Sequence, residues 1–137
     1  MSRYLFHTEN GELSLPLEGL DITRCVVDHA FSLEALQGDG PVALRIEGPF
    51  SLKDGQSNHA MDPSVPAQLG PAVALVRGSV KRARVSAEGR LSIYFKDGRE
   101  VTVEPSDDFE TWELSGPQGV KAVCRAGGGV STWGAVP

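Results

Sequence analysis

The sequence predicts a mainly β fold, an antiparallel barrel or a two-sheet sandwich with one short helix. Three observations carry this. Apolar residues recur at every second position in several runs. Those runs are separated by Asp-Gly and related tight-turn pairs. Glycine and proline, 16 and 9 of the 137 residues, are spread along the chain rather than gathered in one linker. A period of two marks half-buried strands. Asp-Gly tolerates the positive φ angles that hairpin turns require.

The elements follow in order. A weak strand is read over 12–16, then strands over 20–27, 30–36 and 41–47. In the last, Val42, Leu44 and Ile46 alternate with Ala43, Arg45 and Glu47. Residues 56–78 read as a loop-rich excursion, because Pro63 and Pro66 argue against a central strand. Pro71 suits the first turn of a short helix over Ala72–Val76. Strands resume over 79–86, 90–96 and 100–104. Leu91, Ile93 and Phe95 form one face there, and Val101 and Val103 another. Strands over 110–115, 119–125 and 129–133 finish the chain, with Gly127-Gly128-Gly129 as a turn or bulge before the last. Alternation predicts a shared core of Leu91, Ile93, Phe95, Trp112 and Leu114. The hairpins at Asp39-Gly40 and Asp97-Gly98 echo one another, and are read as the same turn chemistry used twice rather than as a duplicated unit.

Size and composition predict one β-rich domain over residues 1–137, large enough to build its own core. Cys25 and Cys124 are too few for a disulfide framework and are expected as free thiols in a reducing compartment. The N-terminal residues lack an apolar run of signal-peptide length, and no stretch approaches a membrane span. The expectation is a cytoplasmic protein with no membrane partner.

The formal net charge is -5, which argues against a nucleic-acid partner, since phosphate binding needs clustered Lys and Arg. The charges are unevenly placed. Arg77, Lys81, Arg82, Arg84 and Arg90 crowd residues 77–90 against Glu88 alone. Glu100, Glu104, Asp107, Asp108, Glu110 and Glu113 crowd residues 100–113 with no base among them. One reading is a pair of neighbouring strands whose solvent faces attract each other. The functional reading is an acidic surface that meets a basic protein.

Catalytic signatures are absent from the sequence. His7, His29 and His59 have no second ligand at a recognised spacing, so no metal and no cofactor are expected. His59 with Asp62 is the nearest metal candidate. No Gly-x-Ser-x-Gly elbow, nucleophilic cysteine signature or phosphate loop is present. Glu110 shares a strand face with Trp112 in strict alternation, so it is expected to point inward and to need a partner such as Arg125. Trp112 and Trp133, each within a few residues of a glycine, are either core plugs or half-exposed anchors for a ligand or partner.

Ile46-Glu47-Gly48-Pro49-Phe50, Phe95-Lys96-Asp97-Gly98, Val103-Glu104-Pro105, Phe109-Glu110-Thr111-Trp112-Glu113-Leu114, Gly116-Pro117 and Gly127-Gly128-Gly129 through Trp133 appear in that order. Together, over residues 26–134, they resemble an uncharacterised, mainly actinobacterial family of small proteins with an aromatic-Glu-x-Trp-Glu-Leu block and a terminal Gly-rich/Trp motif. Phe109 stands where that pattern has Tyr. The resemblance implies no activity and no catalytic residues. It does imply proteins that often sit among toxin–immunity loci.

The expected function is therefore a non-enzymatic protein-binding domain, in its most concrete form an immunity protein that engages a basic partner. The residues expected to bind are Glu104, Asp107, Asp108, Glu110, Trp112 and Trp133. The alternatives are a small-molecule-binding β barrel with Trp112 or Trp133 at its mouth, and a hydrolase using Glu110 or His59.

Overall fold

Two antiparallel sheets share one hydrophobic core in the computed structural model, which describes residues 6–134. The first five residues, on which the expectation about a signal peptide falls, and the last three of the chain lie outside the described residues. The strands are β1 (His7–Glu9), β2 (Glu12–Ser14), β3 (Ile22–Val27), β4 (Phe31–Gln37), β5 (Gly40–Ile46), β6 (Phe50–Asp54) and β7 (Ser57–Met61). They continue with β8 (Val80–Val85), β9 (Leu91–Phe95), β10 (Glu100–Val103), β11 (Trp112–Ser115), β12 (Lys121–Cys124) and β13 (Val130–Trp133). One sheet has the order β1-β2-β8-β9-β10-β6-β7, the other β13-β12-β11-β5-β4-β3. The sheets are not closed on each other. The architecture is the two-sheet sandwich, and the barrel alternative is set aside.

Alternation places the core as the sequence predicts. Leu91, Ile93, Phe95, Trp112 and Leu114 are all buried in one cluster with Val42, Leu44, Ile46, Val101 and Val103. Phe31 of β4 stacks on Phe50 of β6 with ring centroids 5.8 Å apart, a direct contact between the two sheets. The indole N–H of Trp112 donates to the carbonyl of Gly89 at 3.0 Å, so the largest core side chain is satisfied as well as buried.

The structure differs from the sequence reading between residues 50 and 78. Phe50–Asp54 and Ser57–Met61 form a hairpin at the edge of the seven-stranded sheet. Ser57, Asn58 and Ala60 are exposed and only Met61 is buried, so the strand carries no apolar period to read. An edge strand can be this polar because only one of its sides pairs. After it, Pro66–Gln68 forms a 3-10 turn and Gly70–Val73 a short helix, α1, with Pro71 in its first turn.

The strand order also repeats. β3–β5 form a meander in one sheet, after which β6 and β7 cross to the other. β8–β10 form a meander in the second sheet, after which β11 and β12 cross back. Each crossing strand pairs with the last strand of the other meander, β6 with β10 and β11 with β5. The first strand of each meander carries a β-bulge, at Thr23 and at Lys81. The two Asp-Gly hairpins therefore sit in equivalent units of an approximate internal two-fold. Shared turn chemistry alone does not account for the matching crossovers and bulges.

Candidate functional site

The crossing from β10 to β11 gathers Glu104, Asp107, Asp108 and Glu110 at one end of the sandwich. Val103 ends β10 and β11 begins only at Trp112. Pro105 has no N–H to donate to a ladder, so the segment between leaves the sheet. It is held by a few specific bonds. The Gly127 N–H donates to the Ser106 carbonyl at 2.8 Å, and the Asp108 N–H to the Ser106 hydroxyl at 3.1 Å. The Thr111 carbonyl accepts from the Glu47 and Gly48 N–H groups of the other crossing, at 2.8 and 3.2 Å. Both sheet-switching segments are thus clipped together.

Glycine at position 48 permits this clip. A Cβ there would lie 3.0 Å from Thr111 Cγ2 and 3.4 Å from the Phe109 ring. With no Cβ in the way, Thr111 packs down and is buried, while Phe109 rides over the crossing and stays 42% exposed. Asp107, Asp108 and Glu110 are exposed on either side of it. Among the described residues none of these three carboxylates is in an ion pair, whereas Glu104 bridges to Arg90 at 3.0 Å.

The six residues singled out from the sequence do not converge. Glu104, Asp107, Asp108 and Glu110 share the crossing segment. Glu110 is exposed, not inward, because strict alternation does not extend back beyond Trp112. Trp112 is fully buried and presents no surface to a ligand. Trp133 is 52% exposed on the edge strand β13, paired opposite Lys121 at the end of the sheet away from the acidic crossing. The Lys121 ammonium lies 5.9 Å from its ring centroid. The residue that sequence reasoning passed over is Phe109, noted only as the aromatic of a motif. Its exposure depends on a crossing that alternation does not describe.

The basic run does not neutralise the acidic one. β9 stands between β8 and β10. Arg84 pairs instead with Glu18 at 2.8 Å and Glu9 at 3.6 Å, and the Glu18 hydrogen bond raises its already high pKa. Lys81 and Arg82 are in no ion pair among the described residues, and Arg90–Glu104 is the one link between the two runs. The two charged runs are separate features.

His59 lies on β7 opposite Leu52, and the Asp62 carboxylate is taken by the Ser64 N–H and hydroxyl, at 2.9 and 2.8 Å. Those bonds hold its pKa below the usual carboxylate value. Among the described residues no three His, Cys, Asp or Glu side chains gather as a metal site. No helix of the described residues is long and apolar enough to cross a membrane.

Fold and surface together define a two-sheet antiparallel β sandwich with an acidic, aromatic-bearing end. Residues 13–134 match the model of a family of unknown function, DUF6188, and the chain belongs to that family. No curated protein matches the chain. No solved structure matches it either.

Proposed function

We propose that the chain is a non-enzymatic binding domain that engages a basic protein through the crossing between β10 and β11, as an immunity-type protein would. The observation that carries this reading is Phe109, a large apolar ring 42% exposed among carboxylates that are in no ion pair among the described residues. An aromatic anchor inside a charged rim is the usual anatomy of a protein-binding hot spot. The carboxylates would steer a basic partner in, and Phe109 would supply the buried contact. Free thiols at Cys25 and Cys124 suit action in the reducing cytoplasm. A ligand site inside a barrel has no support, since the sheets stay open and Trp112 fills the core between them.

The first partner to test is a basic protein encoded beside this chain. Phe109→Ala is expected to weaken such a complex by about 2 kcal/mol or more, chiefly through faster dissociation. Reversing Asp107, Asp108 and Glu110 to Lys is expected to slow association and to remove most of its salt dependence. Both variants should keep the wild-type melting temperature, because all four side chains are exposed. Unchanged binding in both would end the proposal.

A further inference from the structure

We infer that the outer face of the seven-stranded sheet carries a second site, a basic depression that binds a small hydroxylated phosphate monoester. It lies at the β9–β10 turn, the end of the sandwich opposite Phe109, and is independent of the reading above. The cavity is about 320 Å³, at the lower end of the volumes that small ligands occupy. Lys81, Arg82, Arg84, Arg99, Tyr94 and Glu12 line it. Four cations in one hollow are unexpected on a chain of net charge -5.

The bulge in β8 builds the site. Val80 and Ala83 are buried, so the two residues between them both face outward, as does Arg84 after them. An unbroken strand would have turned one of Lys81 and Arg82 into the core. A bulge re-aims side chains in this way, and bulges recur next to binding sites.

Comparison of the two meanders shows what distinguishes this one. In the first, the arginine after the bulge, Arg24, is paired across the strand with Glu34, and their ion pair is 3.0 Å long. In the second, the arginine after the bulge, Arg82, is paired across the strand with Tyr94. The same backbone position has a neutralising acid in one unit and a 37% exposed aromatic ring in the other. Among the described residues Arg82 is thereby in no ion pair, and it stands beside a ring.

The remaining walls are set in place. The Arg84 Nε–H donates to Glu18 at 2.8 Å. The Arg99 Nε–H donates to Asp97 at 2.9 Å, and its Nη1 to the Ala74 carbonyl at 2.9 Å. Arg99 also holds Asp97 through Nη2 at 2.7 Å, so these paired arginines wall the hollow, while Lys81 and Arg82, in no ion pair among the described residues, supply its charge. A phosphate monoester matches that pair, since a guanidinium fork and an ammonium both bind its oxygens. Tyr94 offers a face for a sugar or base, and Glu12, the one acid on the lining, accepts from a hydroxyl.

The test is an amide chemical-shift titration of the full chain with inorganic phosphate, ribose 5-phosphate and adenosine 5′-monophosphate. Saturable shifts confined to residue 12 and residues 80–84 and 94–99 are expected for both organic esters, and weaker binding for inorganic phosphate. Tighter binding of the nucleotide than of ribose 5-phosphate would mark a base on Tyr94, and equal binding a sugar-phosphate ligand. Both support the shared chemistry. Lys81→Ala with Arg82→Ala should weaken binding by about tenfold or more. Lys53→Ala, which removes a cation of the same sheet face outside the hollow, should leave it unchanged. Absence of saturable shifts with all three probes, or equal affinity in the Lys81/Arg82 double variant, would overturn the proposal. So would inorganic phosphate binding as tightly as its esters.

Discussion

Gly19 and Arg77 hold the same left-handed backbone conformation at the entries to β3 and β8, with φ of +83° and +77°. Their hydrogen bonds are reciprocal. The Gly19 N–H donates to the Val80 carbonyl at 2.9 Å, and the Arg77 N–H to the Ile22 carbonyl at 2.7 Å. Just after them, the Ile22 N–H donates to Gly78 and the Val80 N–H to Leu20, both at 2.8 Å. The internal two-fold passes between these segments, and both meanders start from the same local geometry.

That equivalence has a measurable consequence. A left-handed conformation costs an L-residue about 1–2 kcal/mol, while glycine adds roughly 0.5–1 kcal/mol of chain entropy. Arg77→Gly is therefore expected to stabilise the protein by up to about 1 kcal/mol in denaturant unfolding. Gly19→Ala is expected to destabilise it by about 1–2 kcal/mol, purely through its backbone, since nothing lies within 4 Å of a Cβ there. A loss of stability in Arg77→Gly would show that its side chain contributes more than its backbone costs.

Trp112 tests the core. Trp112→Ala is expected to cost about 3–5 kcal/mol, as a large buried side chain leaves a cavity. Trp112→Phe retains much of the packing but leaves the buried Gly89 carbonyl without its donor, at about 1–3 kcal/mol. Equilibrium unfolding of the two variants separates volume from hydrogen bonding. Equal costs would mean that the lost hydrogen bond, and not the lost volume, accounts for the effect.

Thr111 offers the opposite sign. Its hydroxyl is buried beneath the clipped crossings and has no hydrogen-bond partner among the described residues. Thr111→Val keeps the shape and removes the unpaired polar atom, so a gain of about 1 kcal/mol is expected. A clear loss in thermal or denaturant unfolding would reveal a partner for the hydroxyl, such as a buried water.

Acid sensitivity follows from three carboxylates, Asp62 held by Ser64 and two more paired with arginine. Asp97 is held below its usual 3.8 first by the Arg99 side chain, and Asp28 first by the Ala30 N–H and then by Arg45. A depressed folded pKa favours the folded state above the unfolded value and ceases to do so as pH falls through the lower folded value. Stability is thus expected to be flat above about pH 5 and to decline below about pH 4. Asp97→Asn should flatten part of that decline, by a small amount because the Asp97 side chain is half exposed to solvent. An acid limb identical in wild type and Asp97→Asn would refute the assignment.

Much of the site was written in the sequence as composition and little of it as geometry. Asp107, Asp108 and Glu110 are acidic in any conformation, but only Asp107 and Asp108 were legible as exposed, from the turn after β10, whereas alternation pointed Glu110 inward and the structure exposes it. Phe109 was not legible as an anchor, because its exposure depends on Gly48, which lies on the other crossing. The basic hollow was visible only as a run of charges. Strict alternation would have buried one of Lys81 and Arg82, and the bulge that exposes both is an interaction with β9. Edge strand β7 left no apolar period to read.

The sequence by itself determined where most strands lie, which residues of each face the core and where the hairpins turn. These are local matters, set by side-chain alternation and by residues that accept positive φ. Tertiary structure alone decided which sheet each strand joins, that the sheets stay open, and that the two Asp-Gly hairpins belong to equivalent units. Pairing between β5 and β11 or between β6 and β10 joins residues far apart in the chain. Its partners are chosen by the fit of two whole faces around one core, and no single strand records that choice.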